Sequence, residues 1–208
     1  MFVKKLDKHL SQALLEAGFE KPTKLQKKTI ARIKSGADVL CVGPQTSGRT
    51  TAIVISVIQN LKKAVADVPR ALIIVPDQEK GEAMLEQFNL LGENTDLRVF
   101  VANEKGKIDD LRDRIYFGSD VVIGSSKRLN ELYSFSGLNL TDLKMLVIDD
   151  AEQVIRLGGV TQVDRLAETV TKAQRVVYTQ KMTEGIERFA EEFMNIFEIV
   201  EIEEESEE

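Results

Sequence analysis

Seven short runs rich in Val, Ile and Leu, separated by stretches with helical periodicity, constrain this chain more than any other feature. They are Asp38 to Val42, Arg70 to Val75, Leu97 to Val101, Asp120 to Ile123, Lys144 to Asp149, Gln174 to Thr179 and Phe197 to Ile202. Near-continuous apolar strands are the mark of a sheet covered on both faces, and parallel neighbours need crossovers long enough to be helices. The expected fold class is therefore α/β, a mostly parallel seven-stranded sheet with helices on both faces. In such sheets ligands bind at the carboxyl ends of the strands.

The first run leads into Gly43 to Thr50, GPQTSGRT, which nearly spells a phosphate-binding loop, with arginine in the lysine position. Beyond it Ile53, Val54, Val57, Ile58 and Leu61 fall on one helical face. A helix that begins at the end of such a loop aims free N–H groups and the positive end of its dipole at whatever the loop encloses. An anion site is expected there; the plain alternative is an ordinary glycine-containing strand-to-helix turn.

Two further segments bear on chemistry. LVIDDAE, residues 146–152, ends an apolar strand in Asp149 and Asp150. Such acids either hold Mg²⁺ beside a phosphate loop or cap the helix that follows. Upstream, GFEKPTKLQ, residues 18–26, reads as a helix-loop-helix turn. Gln26 on that turn could read the N6 and N7 edge of adenine, or simply be solvated.

Composition excludes several classes. Of 208 residues, 43% are hydrophobic and 30% charged, enough for one domain with a sizeable core. The only cysteine, Cys41, falls in an expected buried strand, so a disulfide framework and a thiolate metal cluster are both excluded. No apolar run approaches the roughly 18 residues of a membrane span, and a cytoplasmic location is expected. The net charge of -6 is matched by the six glutamates of the last eight residues, so the body, 1–202, is close to neutral and 203–208 reads as a disordered acidic tail. His9, the single histidine, lies on an amphipathic stretch with Leu6, Leu10 and Leu14 and is assigned no chemistry.

These segments resemble, in order, the motifs of DEAD-box RNA helicases. GFEKPTKLQ is similar to the family's adenine-sensing Q motif, and GPQTSGRT to its AxTGSGKT loop. IIVPDQEK stands where the family has a PTREL segment, VVIGSSKRL resembles IVVATPGRL, LVIDDAEQV resembles LVLDEADRM, and VVYTQKM resembles LLFSATM. The resemblance covers 2–202 and implies the first of the family's two RecA-like P-loop NTPase domains, with the second supplied by a protein partner.

The resemblance also implies roles. ATP or ADP would be held by Phe2, Lys21, Gln26, Gly43, Pro44, Gln45, Thr46, Ser47, Gly48, Arg49, Thr50 and Thr51, with Phe2 stacking on the base and Gln26 recognising it. Thr50 and Asp149 would hold Mg²⁺, while Asp149, Asp150 and Arg49 would form the catalytic set, Asp150 standing in for glutamate. Pro76, Ser125 and Arg128 match positions that grip the RNA backbone.

The departures from the pattern set the expected activity. Arginine is a planar fork on a longer arm than lysine. Thr46 replaces a glycine, and a β-branched residue resists positive φ. Asp150 withdraws its carboxylate by roughly 1 Å relative to glutamate, and such a shift can cost on the order of 10²-fold in rate. In the family the second domain supplies arginine fingers worth about 10³ to 10⁵ in turnover. The chain by itself is thus expected to bind nucleotide and RNA, hydrolyse ATP poorly and unwind nothing; the alternative is a non-catalytic interaction module with an empty pocket.

Overall fold

The computed structural model describes residues 5–19, 21–65, 67–194 and 196–202; Phe2 and the acidic tail lie outside them. In chain order the elements are α1 (Lys8–Glu16), α2 (Lys24–Lys34), β1 (Asp38–Val42), α3 (Arg49–Leu61), β2 (Ala71–Ile74), α4 (Gln78–Leu91), β3 (Val99–Val101), α5 (Ile108–Tyr116), β4 (Val121–Gly124), α6 (Ser126–Ser134), β5 (Met145–Ile148), α7 (Ala151–Arg156), α8 (Val160–Glu168), β6 (Gln174–Thr179), α9 (Glu184–Phe193) and β7 (Phe197–Glu201).

All strand pairs are parallel, in the order β3-β4-β2-β5-β6-β1-β7. Each apolar run of the sequence contributes one strand. The edge strand β3 is shorter than its run: Arg98 O accepts from both Asp120 N and Val121 N, which joins it to the neighbouring chain before the regular ladder begins.

Alternation along the strands sorts the core into two layers. Val39, Cys41, Ile73, Val147 and Tyr178 pack with the apolar faces of α1 to α4, whereas Leu40, Val42, Leu72, Ile148 and Val177 pack with those of α5 to α9. Successive side chains of a strand point to opposite faces, so an all-apolar strand feeds both layers at once. The strand order then matters for chemistry. Because β2, β5, β6 and β1 are adjacent, the segments that leave their carboxyl ends stand in a row.

Candidate nucleotide site

Between β1 and α3 the chain makes a 3-10 turn, Gln45–Ser47, and then passes through Gly48 at φ 82° and ψ 34°. The left-handed backbone favours glycine at position 48, and an added Cβ would lie 2.6 Å from Gln26 Nε2, displacing that side chain from the loop. Thr46 sits inside the 3-10 turn and not at positive φ, so the strain expected of a β-branched residue there does not arise. The first regular bond of α3 runs from Ala52 N to Gly48 O (3.0 Å), and the amides of Arg49, Thr50 and Thr51 precede it at the positive end of the helix.

The loop is latched to the start of α2. Thr23 Oγ1 donates to Ser47 O (2.7 Å), Ser47 Oγ donates to Pro44 O (2.6 Å), and Gln26 Nε2 donates to Gly48 O (3.3 Å). Gln26 Oε1 accepts from Thr23 N (3.0 Å) while Thr23 Oγ1 accepts from Gln26 N (3.2 Å), a capping box. The amide expected to read adenine is therefore spent on the helix cap and the loop, and Gln26 is buried. Lys21, on the same turn, is exposed.

At the end of β5, Asp149 is wholly buried; its Oδ1 accepts from Asp150 N (3.0 Å), and its Oδ2 has no hydrogen-bond partner among the described residues. Asp150 takes the left-handed conformation, φ 51° and ψ 53°, which a short acid tolerates better than most side chains. Arg49, only 2% exposed, pairs its Nη2 with Asp150 Oδ1, and its Nη1 is buried with no acceptor among the described residues. A second cation joins them. Lys80, in the first turn of α4, places Nζ 3.0 Å from Asp150 Oδ2 and 3.7 Å from Asp149 Oδ2.

Burial pushes the Asp149 carboxyl up to about 6, against the pull of Lys80 and with the push of Asp150. For Lys80, burial acts downward, but the Asp149 charge and the hydrogen bond to Asp150 more than offset it and raise the ammonium above its ordinary value. Arg49, Lys80, Asp149 and Asp150 thus form a charge-balanced quartet. Sequence reasoning missed Lys80. Nothing local marks it, because its meeting with the acids depends on β2 lying next to β5.

Asp149, expected with Thr50 to hold Mg²⁺, fits a divalent ion poorly in this arrangement. Mg²⁺ requires an octahedron of oxygens with most of its waters kept. Here the carboxylates already face an ammonium and a guanidinium, groups that donate and cannot ligate. Among the described residues no group of three or more His, Cys, Asp or Glu is arranged to hold a metal ion.

A neighbouring linkage ties the acids to β6. Glu152 Oε2 accepts from Thr179 Oγ1 (2.8 Å) and its Oε1 from Gln180 N (3.1 Å). Next to Pro44 a cleft of about 310 Å³ opens between Gln180, Lys181, Met182 and Glu201. A larger cavity of about 780 Å³, lined by Pro69, Phe117 and Asn139 among others, lies at the amino ends of the strands, away from this constellation.

The expected RNA residues are less available. Ser125 caps α6 by accepting from Arg128 N (3.1 Å) and donates to Glu104 Oε1 (2.5 Å). Arg128 is 5% exposed: Nε donates to Asn103 O (3.0 Å), Nη1 to Glu131 Oε2 (2.6 Å) and Nη2 to Gly106 O. It clamps the segment between β3 and α5 onto α6. Pro76 is half-buried and Lys127 exposed.

With this geometry in place, comparison with known proteins is direct. A family model described as DEAD/DEAH box helicase matches residues 23–189, well over half of the chain. The chain belongs to this family. It is 28% identical over 185 residues to the ATP-dependent RNA helicase DeaD of Escherichia coli, covering 88% of this chain and 29% of that protein. It is also 28% identical over 199 residues to the ATP-dependent RNA helicase ROK1 of Scheffersomyces stipitis, covering 91% and 36%. The chain thus spans well under half the length of these relatives. Among solved structures, the DEAD box protein of Methanococcus jannaschii superposes with a TM-score of 0.87 at 20% identity, over 94% of this chain and 54% of that one. The yeast splicing factor Prp28 gives 0.85 at 23% identity, over 91% and 48%. These likenesses show the fold, that of a RecA-like DEAD-box domain.

The family resemblance gives three members of the quartet a differing counterpart. Arg49 stands where the DEAD-box loop carries lysine, and Asp150 stands at its glutamate. Lys80 replaces the leucine of the PTREL segment. Among the described residues, no helix is long and apolar enough to cross a membrane.

Proposed function

We propose that this chain is an adenine-nucleotide-binding domain of DEAD-box type that also contacts RNA, hydrolyses ATP slowly by itself and works with a second RecA-like domain from a partner. The observation that carries the reading is Arg49: a buried guanidinium at the start of α3 with one nitrogen lacking an acceptor among the described residues. An unsatisfied buried donor is costly, and a phosphate oxygen at a helix amino terminus would satisfy it. RNA contact is supported by family membership and by the helix starts after β2 and β4, with Lys127 exposed beside one of them. A cytoplasmic site of action accords with this reading.

Base recognition requires Gln26 to release Gly48 O or Thr23 N and turn its amide toward the purine. Titrations with fluorescent ATP and GTP analogues test this. The native chain should prefer adenine, and Gln26→Ala should lose that preference; equal affinity for both bases in the native chain would count against adenine recognition.

A second reading is favoured by the latch itself. A loop whose hydrogen bonds are already satisfied by Thr23, Ser47 and Gln26 could be a fixed structural turn, and the chain a pseudo-helicase that presents its surface to RNA or a ribonucleoprotein. Absence of any nucleotide binding, together with RNA binding, would establish that reading.

A further inference from the structure

We infer that Lys80 is a built-in counter-ion that occupies the place of a divalent metal, so that the loop takes its nucleotide without Mg²⁺. The inference rests on the nucleotide reading of the loop, which the experiment below tests separately.

Several features hold the Lys80 ammonium in place. Asp77 caps α4 by accepting from Lys80 N (2.9 Å), which pins the first turn. Gly81 is buried, and a Cβ there would lie 3.2 Å from Val101 Cγ1, so the helix packs closely against the sheet at this turn. The β2–β5 pairing then sets this turn beside Asp149 and Asp150. An ordinary surface ion pair joins two solvated groups. This ammonium meets one carboxylate that is fully buried and another whose side chain is 4% exposed, while its own side chain is 27% exposed.

Charge decides what else the site accepts. Two acids facing one arginine would carry a net negative charge that a metal could neutralise. With Lys80 the four groups already balance, and a divalent ion would have to displace an ammonium lying 3.0 Å from one acid and 3.7 Å from the other. The ammonium has three donors, not all used by Asp150, and Arg49 Nη1 has no acceptor among the described residues. Lys80 is therefore a specificity residue, selecting against divalent ions.

The test combines Mn²⁺ titration by electron paramagnetic resonance, without nucleotide, and calorimetric ADP titration in Mg²⁺ or EDTA. The proteins are the native chain, Lys80→Met, Lys80→Gln and the double variant Lys80→Met with Asp149→Asn, each checked for folding by circular dichroism. The native chain should bind no Mn²⁺ at this site, and its ADP affinity should change by less than about twofold on adding Mg²⁺. The two Lys80 single variants should gain a Mn²⁺ site that the double variant lacks, and their ADP affinity should rise about tenfold or more with Mg²⁺. Mn²⁺ binding by the native chain, a comparable Mg²⁺ enhancement of its ADP affinity, or no gain in either Lys80 variant would overturn the inference. No ADP binding in any condition would remove the nucleotide reading, and the Mn²⁺ titration would then decide alone whether Lys80 excludes the metal.

Discussion

Glu152 receives the Thr179 hydroxyl on one carboxylate oxygen, at 2.8 Å, and the Gln180 amide on the other, at 3.1 Å, bridging the start of α7 to the end of β6. The family resemblance places these residues in the DEAD and SAT segments, with glutamate here in place of the acid's shorter homologue. Thr179 is fully buried, and its hydroxyl also lies 3.3 Å from Lys181 O, a longer contact than the one to Glu152. Thr179→Val should cost about 1–3 kcal/mol, the range for a lost hydrogen bond to a charged group. A double-mutant cycle with Glu152→Gln, read by urea unfolding, should show coupling of about 0.5 kcal/mol or more. Additive effects would mean the bond contributes nothing in solution.

The Arg49–Asp150 pair makes a second prediction, about which acid the backbone tolerates. Asp150→Ala leaves Arg49 buried beside no carboxylate of its own and should cost about 3–5 kcal/mol. Asp150→Glu, which restores the family's residue, keeps the charge but puts a longer side chain on a backbone at φ 51°, for a cost of about 1–2 kcal/mol. Thermal melts of the two variants should rank them in that order. A stabilising Asp150→Glu would contradict the conformational account of this residue.

A third prediction concerns acid stability at the other end of the sheet. Asp120, wholly buried, accepts from Arg70 Nη2 (2.7 Å), Arg98 Nε (2.9 Å) and Arg98 N (3.1 Å). Burial acts to raise its pKa, but the bonds from Arg98 and Arg70 outweigh it and hold the carboxyl below 3.8. A carboxyl lowered in the folded state adds stability above its unfolded pKa and loses it as pH falls through the folded one. Asp120→Ala should therefore be about 3–5 kcal/mol less stable at neutral pH. The gap to the native chain should stay constant down to about pH 4 and narrow below it. Urea midpoints across pH check this, and a gap independent of pH down to acid unfolding would contradict it.

The strands and the strand–turn–helix after β1 were legible because their signals are local: an apolar run buried on both faces, glycines in the turn, a helix face of Ile and Val after it. What sequence could not show were the polar contacts that depend on strand order. Lys80 sits in a segment whose local reading is a helix start, and it meets Asp149 only because β2 and β5 are neighbours despite the 70 residues of chain between them. Arg128 likewise reads as a free cation after a strand, yet the fold brings the carbonyls of Asn103 and Gly106 around its guanidinium. Thr46 reads as strain against a glycine pattern, and a 3-10 turn relieves it.

The central claim, that the loop after β1 is an adenine-nucleotide site, is tested most directly by amide hydrogen exchange with and without millimolar ADP. Binding there should slow exchange in the first turn of α3, at Arg49 to Ala52, and alter it at Thr23 to Gln26 as the latch rearranges, with a smaller effect from GDP. Unchanged exchange in both segments, or protection only around Phe117 and Asn139 at the opposite end of the sheet, would contradict it.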